Sequence, residues 1–121
     1  FLVSENKVLV HPASADSIPT SANQEDHVSM GTIAARQARE ILDNVVNVLA
    51  IELLAAAQGI DFLEPLTPGR GTAAARQTIR EIIPHLDKDR FLSPEIKKLH
   101  DPIADGTLVS RVEAVTGPLD F

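Results

Sequence analysis

The chain has 121 residues, a formal net charge of −6 at pH 7 and no cysteine. This length suits one domain with a real core and is too short for two ordinary domains. The negative charge argues against nucleic acid and anionic membranes as main partners, because both would repel the chain. Without cysteine there can be no disulfide framework, zinc–thiolate site or thiol nucleophile, which is compatible with a cytoplasmic protein.

The core must be built from Leu, Ile, Val and Ala, because aromatic residues make up only 3% of the chain. This set of residues suits close-packed helices better than a sheet. We therefore predict an all-α fold with one long central helix followed by three shorter helices. No targeting or membrane-spanning segment is visible, since the most apolar window, Val48 to Ala57, is short and carries Glu52.

The first 30 residues predict irregular structure ahead of the long helix. Residues 1–10 favour a short extended segment, and residues 11–20 a loop containing Pro12 and Pro19. Ser21 and Gln24 have the S-x-x-Q spacing of a capping box, so a helical turn is expected to start at Ser21.

The long helix is predicted over residues 31–58, with Gly59 just past its end. Its first half keeps a polar face, but beyond Val48 only Glu52 interrupts Leu, Ile and Ala. A helix that is apolar on all sides needs neighbours on all sides. The other helices of this chain are too few and short for that, so a larger bundle or other subunits must bury this half.

Three shorter helices are predicted within residues 72–121. The first is capped by Thr72 and runs to about Ile83, before Pro84, with Ile79, Ile82 and Ile83 facing inward. The second starts at Ser93-Pro94-Glu95 and carries Ile96, Leu99 and Ile103 inward. Gly106-Thr107 separates it from a last helix that ends at Gly117-Pro118.

Polar side chains crowd the entrance of the long helix. Taken alone, Glu25 reads as a first-turn acid that complements the helix dipole, and Gln24 as the partner of Ser21 in a cap. Asp26 and His27 are adjacent, so on a helix they point about 100° apart and do not converge on one ligand. The four histidines of the chain are scattered without metal-ligand spacing, which predicts no metal site.

A family resemblance rests on this polar run, Ser21-Ala22-Asn23-Gln24-Glu25-Asp26-His27-Val28-Ser29-Met30-Gly31, and on the His11 to Thr20 stretch before it. These residues resemble the carboxyl-terminal signature of the aromatic amino acid ammonia-lyase family, in its histidine-specific branch. The likeness continues through Val48 to Asp61 and Pro84 to Arg90. It implies that residues 1–121 are a single C-terminal helical domain or fragment of a longer helical-bundle enzyme. Within it, residues 1–30 would form an active-site loop and helix entrance.

The resemblance implies an activity: elimination of ammonia from L-histidine to give trans-urocanate, in a cytoplasmic homotetramer whose active sites draw on more than one subunit. The family's electrophile is a methylidene-imidazolone formed from an internal Ala-Ser-Gly, and no metal is used. The nearest approach to that tripeptide here is Ala13-Ser14-Ala15, and there is no tyrosine. We therefore expect the chain to be inactive without the remaining N-terminal part of the enzyme.

Site residues follow from the same resemblance. Glu25 matches a family glutamate that lies near the substrate imidazole, which makes it both a catalytic and a substrate-binding candidate. Gln24 and Ser21 are further substrate-binding candidates. The alternative is a non-catalytic helical oligomerisation module, which would tolerate loss of Glu25 but not a charge at Leu49 or Leu53.

Overall fold

A computed structural model describes residues 1–15, 17–25 and 27–120. Within these ranges the regular structure is helical and contains no strand, which confirms the all-α prediction with one long helix followed by three shorter ones. The helices are α1 (Leu2–Leu9), α2 (Gly31–Asp61), α3 (Arg70–Ile82), α4 (Ser93–Ala104) and α5 (Thr107–Thr116). None of these described helices combines the length and apolarity that crossing a membrane requires.

The chain divides into two compact units, Phe1–Val45 and Val46–Phe121. The boundary falls inside α2, so each unit contains part of that helix. The prediction that residues 1–121 form a single domain is not tested by this division and stays a prediction.

The first unit contains a helix that was not predicted from the sequence. Residues 1–10 were expected to be extended, and this expectation is wrong, because Leu2–Leu9 form α1. Leu2, Asn6 and Leu9 are the half-buried positions of this segment, and their spacing is that of one helix face. Asn44 Nδ2 donates a hydrogen bond to Asn6 Oδ1 at 2.9 Å, which ties α1 to α2 within this unit.

Several helix boundaries differ from the sequence-based expectation by one to three residues. Gly59 does not follow the long helix, since α2 continues to Asp61. Thr72 is not a cap either, because α3 begins at Arg70 after Gly69 and has no side-chain cap. Ser93 likewise lies inside α4 rather than at its cap. The last residue of α2, Asp61, is hydrogen-bonded through its side chain to α3 and to the segment after it.

The core of the second unit matches the predicted inward-facing residues. Ile79, Ile83 and Leu99 are at most 2% exposed, and Ile82, Ile96 and Ile103 pack against them. α2 places two fully buried alanines in this cluster, Ala50 and Ala57, and packs Leu53 and Leu54 against it.

α3 and α5 approach each other closely at Gly71. A Cβ atom at this position would lie 3.1 Å from Cγ2 of Thr116, closer than ordinary van der Waals contact. The approach therefore uses the absence of a side chain at residue 71. α5 itself starts after Gly106 (φ 80°) and ends just before Gly117 (φ 84°), as the two glycines predicted.

A polar cluster joins the end of α2 to α3 and to the segment after it. The Asp61 side chain is only 7% exposed. Its Oδ1 accepts a hydrogen bond from Arg76 Nε at 2.6 Å, and its Oδ2 accepts from Arg80 Nε at 2.9 Å and from His85 Nδ1 at 2.6 Å. We call Gln58, Asp61, Arg76, Arg80 and His85 the Asp61 cluster.

Gln58 fixes the proton arrangement in this cluster. Its Oε1 accepts from the Leu86 backbone N–H and from Arg80 Nη2, each at 3.1 Å, and both groups can only donate. Its Nε2 therefore donates, and it faces Nε2 of His85 at 3.2 Å. The imidazole accordingly accepts at Nε2 and donates from Nδ1 to Asp61.

Burial by itself would raise the pKa of the Asp61 carboxyl. The hydrogen bonds from His85, Arg76 and Arg80, together with the charge of Arg80, instead hold this pKa well below its ordinary value. The folded state therefore favours the ionised carboxylate more than the unfolded chain does, so Asp61 stabilises the fold at neutral pH.

We expect Asp61→Asn to lower the free energy of unfolding by about 2 kcal/mol at pH 7, the scale of hydrogen bonds to a charged group. Urea denaturation followed by circular dichroism measures this change. Asp87→Asn, at an exposed position, is the matched control and should shift stability by less than about 0.5 kcal/mol.

The stabilisation that Asp61 provides is expected to depend on pH. Because the folded pKa lies below the unfolded value of about 3.9, the Asp61 contribution is complete above that pH and is lost as the pH falls through and below it. The difference in the free energy of unfolding between wild type and Asp61→Asn should therefore become smaller as the pH falls from about 5 towards 3. A difference that stays constant over this interval would contradict the assignment.

Candidate active-site loop

The loop ahead of α2 is closed by a pair of residues that face each other, Thr20 and Glu25. They form an isolated antiparallel bridge. The Thr20 N–H donates to the Glu25 carbonyl at 2.8 Å, and the Glu25 N–H donates to the Thr20 carbonyl at 3.3 Å. Outside this pair, the Val28 N–H donates to Oγ of Ser17 at 3.0 Å.

The residues between them form a left-handed turn. Ser21, Ala22 and Asn23 have φ values of 51°, 55° and 69°, and none of them is glycine. Each such residue costs about 1 kcal/mol relative to a right-handed conformation. The turn therefore persists because the surrounding hydrogen bonds hold it, including the one from the Gln24 N–H to the Ser21 carbonyl at 3.1 Å.

This geometry overturns the capping-box prediction for Ser21 and Gln24. Residues with positive φ cannot form the first turn of a right-handed helix, and α2 begins only at Gly31. Ser29 is the residue that serves the helix start, since its Oγ accepts the Gly31 N–H at 3.3 Å. The sequence signal misled because S-x-x-Q spacing also occurs inside this non-helical turn.

Glu25 therefore does not lie in the first turn of a helix, and its carboxylate is free of that dipole role. Its Oε2 accepts a hydrogen bond from the Thr20 hydroxyl at 3.0 Å. The Glu25 side chain is exposed in this chain, whereas Thr20 is half-buried. A carboxylate that is held by one neutral hydroxyl and open to solvent can accept a further hydrogen bond from a ligand N–H.

The other candidate residues lie beside Glu25 along the loop. Ser21 and Gln24 are exposed, as is His27. The structure thus brings all three substrate-binding candidates, Ser21, Gln24 and Glu25, onto one short turn. Asp26 lies outside the described residues.

Two further features bear on chemistry elsewhere in the chain. Across residues 1–15, 17–25 and 27–120, no three His, Asp or Glu side chains come together as a metal site would require.

The Asp61 cluster was not predicted from the sequence. Its available signal was the i, i+4 spacing of Arg76 and Arg80, which places two cations on one face of α3.

Comparisons with known proteins cover nearly the whole chain. The family model described as "Aromatic amino acid lyase" matches residues 1–81. A histidine ammonia-lyase of Symbiobacterium thermophilum is 59% identical over 119 residues, which are 98% of this chain and 24% of that protein. The chain thus spans about a quarter of the length of this relative.

Two solved structures also match this chain over nearly its whole length. The crystal structure of histidine ammonia-lyase from Trypanosoma cruzi matches with a TM-score of 0.88 and 45% identity, over 94% of this chain and 23% of that one. The tyrosine aminomutase of Streptomyces globisporus matches with a TM-score of 0.90 and 34% identity, over 98% of this chain and 22% of that one. On sequence and fold together, the chain belongs to the aromatic amino acid lyase family.

Proposed function

We propose that this chain is the carboxyl-terminal part of a histidine ammonia-lyase, the enzyme that eliminates ammonia from L-histidine to give trans-urocanate. The observation that carries the proposal is the extent of the likeness. Identity of 59% to a histidine ammonia-lyase runs over 98% of the chain rather than over one motif. Identity over nearly the whole chain is expected when two chains are the same part of the same kind of enzyme. A shared local motif would give identity over a short stretch only.

Glu25 is the residue that we assign to the substrate imidazole. A carboxylate accepts a hydrogen bond from an imidazole N–H and stabilises its charged form better than a neutral amide does. It also disfavours phenyl and phenol rings, which would leave the carboxylate unpaired in a closed site. The exposed position of Glu25 on the loop supports this role, because the rest of the enzyme can then enclose it with substrate. We assign Gln24 and Ser21 to the same substrate contact region.

The residues of this chain do not supply the electrophile expected in the family. Its methylidene-imidazolone would form from an Ala-Ser-Gly tripeptide, and none occurs in the 121 residues. The share of the reaction that we propose for this chain is therefore recognition and orientation of the imidazole. The electrophile would come from the N-terminal part of the enzyme, in a cytoplasmic homotetramer that needs no metal.

We expect the isolated 121-residue chain to form no urocanate from L-histidine, because the group that activates the substrate is not encoded in it. The ultraviolet absorbance of urocanate measures this directly. The positive control is the complete lyase subunit at the same molar concentration. Urocanate production by the purified chain alone would contradict the proposed division of labour.

In the complete lyase, we expect Glu25→Gln to lower kcat for histidine by about tenfold to a hundredfold, the scale of one charge-assisted hydrogen bond. Glu40→Gln makes the same chemical change at an exposed position of α2 and is the matched control. Unchanged kinetics in Glu25→Gln would remove this carboxylate from the site.

A second candidate function is a helical oligomerisation module without chemistry of its own. Exposed apolar side chains on the second half of α2 favour it, since Leu49 is 39% and Ile51 46% exposed. Surfaces of this kind are typical of helix–helix interfaces between subunits. The two functions are compatible, because α2 can build an oligomer while the loop before it contributes to a site.

The substitution Leu49→Asp tests the role of α2 in oligomerisation separately from the role of the loop in the site. We expect it to shift the complete protein from its oligomer to smaller species in sedimentation velocity, because an unpaired charge is costly in an apolar interface. Lys97→Asp, which changes the charge at an exposed position of α4, should leave the oligomer intact. An unaltered sedimentation coefficient in Leu49→Asp would exclude this face of α2 from the interface.

A further inference from the structure

The loop offers a specific partner to the carboxylate of Glu25. Thr20 and Glu25 are directly opposed in the antiparallel bridge, so their side chains leave the backbone on the same side of the pair. At this spacing the Thr20 hydroxyl reaches Oε2 of Glu25 and donates to it at 3.0 Å.

Thr20 is well suited to fix the direction of a neighbouring group. It is half-buried, and its Cβ branch restricts rotation about χ1. Its backbone is also held at both the N–H and the carbonyl by Glu25 itself. The hydroxyl is therefore a donor of fixed position, whereas the long glutamate side chain would otherwise sample several rotamers.

The left-handed turn supports the same role. Ser21, Ala22 and Asn23 hold positive φ values across three consecutive residues. Strained backbone of this kind persists only where surrounding contacts determine it, and it clusters at binding sites. Here the turn sets the Thr20–Glu25 register, and with it the reach of the hydroxyl to the carboxylate.

We propose that Thr20 is a positioning residue: its hydroxyl holds Oε2 of Glu25, so that Oε1 is presented to the imidazole N–H of the substrate. This inference rests on the proposed function of Glu25. A hydroxyl suits the task because it donates without adding charge. The carboxylate thus keeps its full negative charge for the imidazole, which an arginine or lysine at residue 20 would neutralise.

The test uses the complete lyase and two substitutions of Thr20. Thr20→Val keeps the shape and removes the hydroxyl, and we expect kcat/KM for histidine to fall about tenfold, the scale of one hydrogen bond to a charged group. Thr20→Ser restores the hydroxyl and should stay within about twofold of wild type. Thr72→Val is the matched control at an exposed position of α3.

A double-mutant cycle separates positioning from a structural role. If Thr20 acts through the carboxylate, Thr20→Val should have no further effect in a Glu25→Ala background. Where turnover of that background is too slow to measure, the dissociation constant for urocanate from calorimetry replaces it. Equal losses in both backgrounds would overturn the proposal.

The remaining outcomes are also decisive. If Thr20→Val and Thr20→Ala both fail to fold while Thr20→Ser folds, the hydroxyl is structural and the proposal is wrong. If Glu25→Gln and Glu25→Ala are impaired while Thr20→Val behaves as wild type, this inference fails and the proposed function stands. If the Glu25 variants themselves are unimpaired, the assigned role of Glu25 fails first.

Discussion

The carboxylate of Asp61 holds together three separate segments of the second unit. It is the last residue of α2, where the negative end of the helix dipole disfavours an anion. Donors from Arg76, Arg80 and His85 offset that repulsion and keep the acid ionised although it is nearly buried. Hydrogen bonds to this one acid thus link the end of α2 to α3 and to the segment after Pro84, beside the apolar core that α2 and α3 share.

Glu25 provides the opposite arrangement in the first unit. Asp61 is nearly buried, and its charge is balanced by the guanidinium groups of Arg76 and Arg80. Glu25 is exposed, and the side chain that holds its carboxylate among residues 1–15, 17–25 and 27–120 is the neutral hydroxyl of Thr20, which does not compensate its charge. The two acids show how surroundings rather than residue type separate a structural carboxylate from one suited to recognition.

Sequence patterns predicted the helices well where apolar periodicity was strong. The long helix, the inward-facing Ile79, Ile83 and Leu99, and the end of α5 at Gly117 all followed from local signals. The long helix instead ends three residues later than predicted, at Asp61, whose partners lie up to 24 residues away and are outside any local pattern. The left-handed turn was also beyond reach, because only Asn23 of its three residues favours positive φ, and Ser21 and Ala22 do not. The Thr20 contact depends on that turn. Glu25 was found through family resemblance, and its conformation required the structure.

Gly71 constrains how the second unit can change in evolution. With no side chain there, α3 lies so close to α5 that Cγ2 of Thr116 is only 3.1 Å from the position that a Cβ would take. Alanine at 71 would therefore need Thr116 to shift by a few tenths of an ångström or to be replaced by a smaller residue, so the two positions should vary together among descendants of this chain. Residue 116 also ends α5, where its hydroxyl donates to the Val112 carbonyl at 3.1 Å, so serine is the replacement that frees volume and keeps that bond. A glycine that looks interchangeable in the sequence thereby restricts the choice of residue at the far end of another helix.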